Sequence, residues 1–249
     1  MTTVPEAVLF AFFGLIVGSF LNLCSDRLPA GKSVVTPPSH CDSCHRRLGV
    51  IDLIPVFSYI GLRGRCRFCA ARIPLRILIV ELATAVMFAL LTWHYGLGAQ
   101  LAMALVYLCL FVLISVIDLE HGLILDAVIY PGMALAFVFS FFWPDLGPAS
   151  ALAGGGIGFV MMLLPYVISR GGMGAGDVKL AGLIGLATGV PNVVIALFLG
   201  ILGGGLVAAF LLLSRLRTRK QTIPFGPFLA AGAMATVVWG NTIHDFFVR

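Results

Sequence analysis

Two aspartates lie where apolar segments of this chain meet polar connections. Asp118 follows the run "LAMALVYLCLFVLISVI", and Asp177 ends the glycine-rich part of "GGMGAGDVKL". Ionisable residues close to a membrane segment are functional candidates by default. Two carboxylates that share one proton can hydrolyse a peptide, because the ionised one takes a proton from water while the protonated one polarises the carbonyl. The glycines of this stretch would let a substrate backbone approach such a pair, since they carry no side chain.

Each acid also has a structural explanation when it is taken alone. A solvated helix end accounts for a single boundary acid, and Asp177 would suit a helix N-cap, where the helix dipole favours negative charge. Asp118 and Asp177 are distinguished as a pair, because both bound apolar segments on one predicted face and both can point into a helix bundle. The pair therefore indicates a functional site, whereas either acid alone does not.

A polar loop after the first apolar segment holds two cysteine pairs. It contains Cys41-x-x-Cys44 and Cys66-x-x-Cys69, separated by 21 residues. Two such pairs match the pattern of four thiolates around one Zn²⁺. A domain with so small a core would gain much of its folding free energy from the metal. Redox-active pairs or disulfides are the alternative, which a reducing cytoplasm disfavours; two histidines flank the first pair as substitute ligands, His40 and His45.

The composition indicates an integral membrane protein. Of its 249 residues, 60% are hydrophobic and 11% are charged, whereas soluble domains carry roughly a quarter charged residues. A span needs roughly 20 mostly apolar residues, and eight segments are predicted on that rule: 5–24, 77–95, 99–117, 123–143, 149–169, 178–190, 191–213 and 226–243. The sixth is short enough to be a half-span.

The predicted fold is an all-α polytopic membrane protein with about eight transmembrane helices and a small cytoplasmic four-cysteine domain of zinc-ribbon type. Residues 1–24 form the first transmembrane helix, which is retained and not cleaved as a signal peptide. Residues 25–76 form the four-cysteine domain. Residues 77–249 form a multi-helix membrane domain that carries the two aspartates.

The basic residues set the orientation, because short cytoplasmic loops collect Lys and Arg. Nine of the 16 lie between Arg27 and Arg76, four form the run "RLRTRK", and Arg170 and Lys179 flank the glycine stretch. With the N-terminus outside and eight crossings, all of these are cytoplasmic and only Arg249 is outside. Both aspartates and the four cysteines then lie at the cytoplasmic face. The bias of basic residues toward the cytoplasmic face accounts for the net charge of +5. Membrane lipids are therefore expected as neighbours, and nucleic acid is not.

The motifs that carry these residues resemble those of the type IV prepilin peptidases, intramembrane aspartic proteases with a G-x-G-D signature. "GMGAGDVKL" matches that signature, and "VIDLEHGLILDAVIYPG" is similar to the family's aspartate followed by an I/L-P-D-x-x-x-x-P segment. "IPFGPFLAAGA" resembles its P-F-G-P segment, and "GSFLN", "CDSC…GRCRFC" and "RIPLR…VELAT" complete the likeness. Leu125 replaces the usual proline before the third acid, so Asp126 is given no catalytic role.

The resemblance implies a catalytic dyad of Asp118 and Asp177, with Gly174 and Gly176 as the motif glycines. It also implies a bacterial inner-membrane location and substrates among type IV prepilins or type II secretion pseudopilins. Their short basic leader is cut after a glycine at the cytoplasmic edge of the membrane, ahead of a hydrophobic helix.

Bifunctional members of this family then methylate the new N-terminus with S-adenosylmethionine. The four-cysteine domain distinguishes them from shorter relatives that are peptidases only, so the resemblance implies both activities here. Glu81, in "VELAT", matches a family acid associated with the methyltransferase half; a partner such as Arg72 or Arg76 is its structural alternative. No S-adenosylmethionine pocket follows from the sequence.

Three other functions are weighed against this one. A peptidase without methylation would keep the two aspartates and lose the second step. A membrane thiol–disulfide oxidoreductase would use the cysteine pairs, but these are predicted to face the cytoplasm. A proton-coupled transporter would place its acids near the middle of the membrane and often shows two related halves, and neither feature is seen.

Overall fold

Helices form nearly all of the regular structure. A computed structural model describes residues 3–169, 173–214 and 224–248, and these contain no β-structure beyond two isolated bridges. Nine α-helices follow one another in the described residues: α1 Val4–Arg27, α2 Phe57–Gly61, α3 Leu75–Tyr95, α4 Ala99–His121, α5 Asp126–Phe139, α6 Pro148–Ser169, α7 Ala175–Thr188, α8 Asn192–Leu213 and α9 Gly226–Val248. A 3₁₀ helix at Val50–Leu53 precedes α2. The predicted all-α class is confirmed.

Five of the described helices are long and apolar enough to cross a membrane, namely α1, α3, α4, α6 and α8. Helices α5 and α7 have 14 residues each, and the apolar part of α9 is also short. All eight predicted segments thus coincide with helices, while five meet the length criterion. The chain is a multi-pass helical membrane protein. The glycines at 171 and 172, Arg170, the basic run at 215–220 and Arg249 lie outside the described residues.

Several predicted boundaries differ from those of the helices, and two of the differences place an aspartate inside a helix. Helix α4 continues to His121, four residues beyond the prediction, and so contains Asp118. Helix α7 begins at Ala175 because the extended Gly174 is its N-cap, so Asp177 does not precede this helix and is not its cap. The segment predicted at 123–143 is helical only over Asp126–Phe139.

The chain divides into two compact units, Met1–Leu113 and Ile114–Arg249. In the first, α1 packs on α3 through glycines that let the backbones approach closely. A Cβ on Gly14 would lie 2.8 Å from the Cα of Ala85, and one on Gly18 would lie 2.9 Å from the Cα of Glu81. Polar contacts reinforce the pair, since the Asn22 side-chain amide donates to the Ile77 carbonyl at 3.1 Å.

In the second unit, α7 packs against α5, α6, α8 and α9, and α8 packs against α9. Glycine again sets the separation between helices, because a Cβ on Gly185 would collide with the backbone of Gly154. Likewise, the backbone of Ala196 fills the space that a side chain on Gly232 would need. Gly154 of "GGGIG" and Gly200 of "GILGGG" also lie at helix contacts, whereas Gly156, Gly203 and Gly205 face open space.

Candidate active site and metal centre

Asp118 is a buried acid in the last turn of α4, with 6% of its surface exposed. Its Oδ2 atom accepts a hydrogen bond of 2.8 Å from the backbone N–H of Gly226, the first residue of α9. The N-terminal N–H groups of a helix have no partner within the helix, and they bind anions well. The start of α9 therefore fixes the carboxylate of Asp118.

Asp177 is also buried, with 9% exposed, and is the third residue of α7. It lies in the first turn of the helix, where the helix dipole stabilises negative charge. Its Oδ2 lies 3.4 Å from the position that a Cβ on Gly174 would take. Gly174 and Asp177 thus form one tight turn at the start of α7.

The two carboxylates interact. Asp118 lies close enough to Asp177 for the charges of the two side chains to interact. Both residues belong to the unit Ile114–Arg249. Like charges in a site with little water disfavour double ionisation, so the arrangement suits two carboxylates that share one proton. This is the chemistry that the sequence predicts for the pair.

The four predicted zinc ligands form one cluster. The sulfur atoms of Cys41, Cys44, Cys66 and Cys69 all lie within 4.8 Å of one another. The Cys41 and Cys69 sulfurs are 3.8 Å apart, the separation expected for two thiolates of a tetrahedral Zn²⁺ site with bonds of about 2.3 Å. The donor set therefore fits zinc, and neither His40 nor His45 belongs to the cluster.

The two cysteine pairs have the same local structure. In the first, Cys41 N–H donates to the Arg46 carbonyl and His45, at φ 54°, returns a bond to the Cys41 carbonyl. In the second, Cys66 and Ala71 form the equivalent bond, with Ala70 at φ 56°. Each turn presents two sulfurs to one point. Hydrogen bonds from the backbone of Cys44 and Ser43 lower the pKa of the Cys41 thiol to about 6.

Comparison with known proteins decides the family. The bacterial Peptidase A24 N-terminal domain matches residues 12–95, and the type IV leader peptidase family matches residues 105–209. A prepilin leader peptidase/N-methyltransferase of Bacillus subtilis is 32% identical over 98% of both chains. Proteins of the same name from Pseudomonas putida and Pseudomonas aeruginosa are each 31% identical, over 93% and 95% of this chain and 90% and 91% of their own. The chain belongs to the type IV leader peptidase family.

No solved structure matches the chain. The two family regions divide the candidate sites between them: the A24 N-terminal match contains the four cysteines and Glu81, and the leader peptidase match contains both aspartates. Gly226, which binds Asp118, lies beyond both matches.

The two G-x-G-D glycines have different surroundings. Gly174 is exposed, whereas a Cβ on Gly176 would lie 2.7 Å from the Cβ of Ile124, in the connection between α4 and α5. Gly176 thus has a packing requirement of its own, because it lets that connection pass close to α7. The role of both glycines in admitting a substrate stays a prediction.

The third acid of the family pattern, Asp126, differs from the other two in being exposed to solvent. It pairs with Lys179 at 2.6 Å, and that ammonium also lies 5.5 Å from the centre of the Tyr130 ring. Lys179 therefore connects the start of α5 to the start of α7.

Glu81 does not pair with Arg72 or Arg76. Its side chain is buried, 3% exposed, and Oε2 accepts a 2.7 Å hydrogen bond from the N–H of Val56. Val56 has φ 64°, an unfavourable conformation for a β-branched residue. Arg76 instead binds Asp26 at 2.7 Å. Glu81 thus holds the segment before α2 against α3.

Sequence reasoning missed two partners in these sites. The contact between Gly226 and Asp118 joins residues 108 positions apart, and the only signal was the P-F-G-P segment itself. Val56 gave no signal, because neither its type nor its neighbours predict a positive φ.

Proposed function

We propose that this protein removes the leader of type IV prepilins or related pseudopilins and then methylates the new N-terminus. The observation that carries the proposal is the pair of buried, interacting carboxylates of Asp118 and Asp177, one of which follows the G-x-G of the family signature. The names of the full-length relatives support both steps, since each is a prepilin leader peptidase/N-methyltransferase.

The two aspartates perform the hydrolysis together. The ionised carboxylate takes a proton from a water molecule as the water oxygen bonds to the scissile carbonyl carbon, and the protonated carboxyl gives its proton to the carbonyl oxygen. The resulting gem-diol collapses: the C–N bond breaks, the leaving nitrogen takes the proton held by the first aspartate, and the second regains its proton from a gem-diol hydroxyl. The dyad returns to its starting state.

The reaction takes place at the cytoplasmic edge of the inner membrane. The bias of Lys and Arg supports a topology with both termini outside and eight crossings, in which α5, α7 and α9 complete the set. Helix α7 is short and carries Asp177 in its first turn, so the aspartate lies near the membrane surface, where the basic leader of a substrate ends and its hydrophobic helix begins.

The four-cysteine segment belongs to the methyltransferase half. Cys41, Cys44, Cys66 and Cys69 would hold a structural zinc ion, which supplies no step of either reaction. S-adenosylmethionine supplies the methyl group when bound, and no described residue is assigned to it. The buried Oε2 of Glu81 is already bonded to Val56, which favours a structural role for this acid.

The test uses the full chain in lipid with a leader-bearing prepilin and an isotopically labelled methyl donor, and it measures product masses. Wild type should yield the cleaved, singly methylated product. Asp118→Asn and Asp177→Asn should leave the prepilin uncut, while both still methylate a substrate supplied without its leader.

Asp126→Asn is the matched control, because Asp126 is an exposed acid paired with Lys179 in the same unit. It should cut the prepilin at nearly the wild-type rate. Full cleavage by either dyad variant would reject the assignment, and a product that is cut but never methylated would show a peptidase alone.

A further inference from the structure

We propose that Gly226 is a positioning residue of the peptidase site: its backbone N–H orients the carboxylate of Asp118, and its missing side chain makes room for it. This rests on the proposed function, since it concerns how that site is held. The resemblance of "PFGP" to a family segment says nothing of what the segment does.

A count of hydrogen bonds at the start of α9 supports the role. The first N–H groups of a helix need partners outside it. The N–H groups of Phe228 and Leu229 donate to the Phe225 carbonyl at 3.1 and 3.3 Å, and Pro227 has no N–H. The Gly226 N–H is thus the first-turn donor that points outward, and Asp118 Oδ2 accepts it at 2.8 Å.

The space around Gly226 supports it independently. A Cβ built on Gly226 would lie 2.7 Å from Oδ2 of Asp118 and 3.3 Å from its Cγ. Any other residue would push the carboxylate out of its present place, which moves one of the two interacting acids relative to the other. A displacement of about 1 Å at a reacting group can cost on the order of 10²-fold in rate.

Gly226 is itself held in place by the neighbouring aromatic ring. A Cβ on Gly204 of α8 would lie 2.8 Å from Cε2 of Phe225, so the ring packs directly on the backbone of α8. The backbone N–H of Gly226 is therefore anchored to the helix bundle, and its hydrogen bond fixes Oδ2 of the Asp118 carboxylate.

Two substitutions test the two features of Gly226 separately: its backbone N–H donor and the space left by its missing side chain. Gly226→Ala keeps the backbone N–H and adds the colliding Cβ. Glycolic acid in place of Gly226, introduced by nonsense suppression, replaces the N–H with an ester oxygen and adds no side chain; this is the ester variant. In the reconstituted full chain, kcat for leader cleavage should fall about 100-fold in Gly226→Ala and at least about tenfold in the ester. KM and methylation of a substrate without its leader should be unchanged in both.

Gly205→Ala is the matched control, because Gly205 is a helical glycine of α8 with nothing within 4 Å of its added Cβ. It should cleave like wild type. A wild-type kcat in the ester variant would overturn the proposal even if Gly226→Ala failed to fold, and so would a loss expressed only in KM. Failure of the proposed function is distinguishable, because wild type itself would then leave the prepilin uncut.

Discussion

The two candidate sites of this protein are assembled in different ways. The cysteine site consists of two local turns with the same structure. Each turn comprises six consecutive residues, Cys41–Arg46 and Cys66–Ala71. The aspartate site is built from the ends of three helices, and its contacts join positions as distant in sequence as 118 and 226. Local turns need an added ion to become a stable unit, whereas helix ends are positioned by the packing of whole helices.

This difference tells which forces hold each site. The exposed apolar side chains around the cysteines, such as Val50 and Phe57, leave little core there, so a metal bound by the four thiolates would supply much of the stability. In the second unit, backbones that touch at Gly154 and Gly185 fix the helices. Removing metal and filling a glycine contact should therefore damage opposite halves of the chain.

Removal of the metal should have the largest effect. Four thiolates complete one tetrahedral site, so about one zinc per chain is expected, and its loss withdraws on the order of 10 kcal/mol from the cysteine segment. Chelation or Cys66→Ser should expose residues 30–72 to protease while the protease resistance of residues 114–249 is retained. Elemental analysis and limited proteolysis measure this. A metal-free chain with a protected cysteine segment would show that local turns suffice.

Filling a glycine contact should have the next largest effect, and in the other unit. Gly185→Val places side-chain atoms against the backbone of Gly154, and overpacking of this kind costs about 3 kcal/mol. Thermal unfolding should show the loss in the second unit, with the zinc content unchanged. Gly156→Val is the control, because a Cβ added at Gly156 would meet nothing within 4 Å. Equal melting temperatures for the two variants would contradict the packing account.

The sequence predicted these two regions unequally. The spacing of the cysteines predicts the cluster of four sulfurs, because all four cysteines lie in two short turns. Helix boundaries at the second site were wrong by a few residues, since the conformation of Gly174 decides where α7 begins and no periodicity reports it. The link from Gly226 to Asp118 and the positive φ of Val56 depend on tertiary contacts, which a single sequence does not contain.

A smaller effect is expected at Glu81, where a helix of the first unit holds a loop. Glu81→Ala leaves the N–H of Val56 without its acceptor, which costs about 2 kcal/mol. Glu81→Gln keeps an acceptor oxygen and should lose less. Hydrogen exchange at residues 50–57 should rise in the order wild type, Gln, Ala, with leader cleavage retained throughout. Loss of methylation in both variants with unchanged exchange would instead show that Glu81 acts on the methyl-transfer reaction.

The smallest effect is expected at the exposed pair Asp126–Lys179. Exposed ion pairs contribute little because water and salt screen them. The charge exchange Asp126→Lys with Lys179→Asp should leave kcat for leader cleavage within about twofold of wild type. The single variant Lys179→Asp places two acids together and should be the weaker enzyme. A large loss in the exchanged protein would mean that this pair holds the active site and is not merely a surface contact.

The central claim is that Asp118 and Asp177 act as one catalytic unit, and single-turnover cleavage by the two single variants and the double variant tests it directly. Groups that act together lose nearly everything when one is removed, so a second removal adds little. Asp118→Asn, Asp177→Asn and the double variant, each reconstituted in lipid with a leader-bearing prepilin, should therefore fall to the same residual rate. Losses that add in free energy from the singles to the double would contradict it, since the two carboxylates would then act separately.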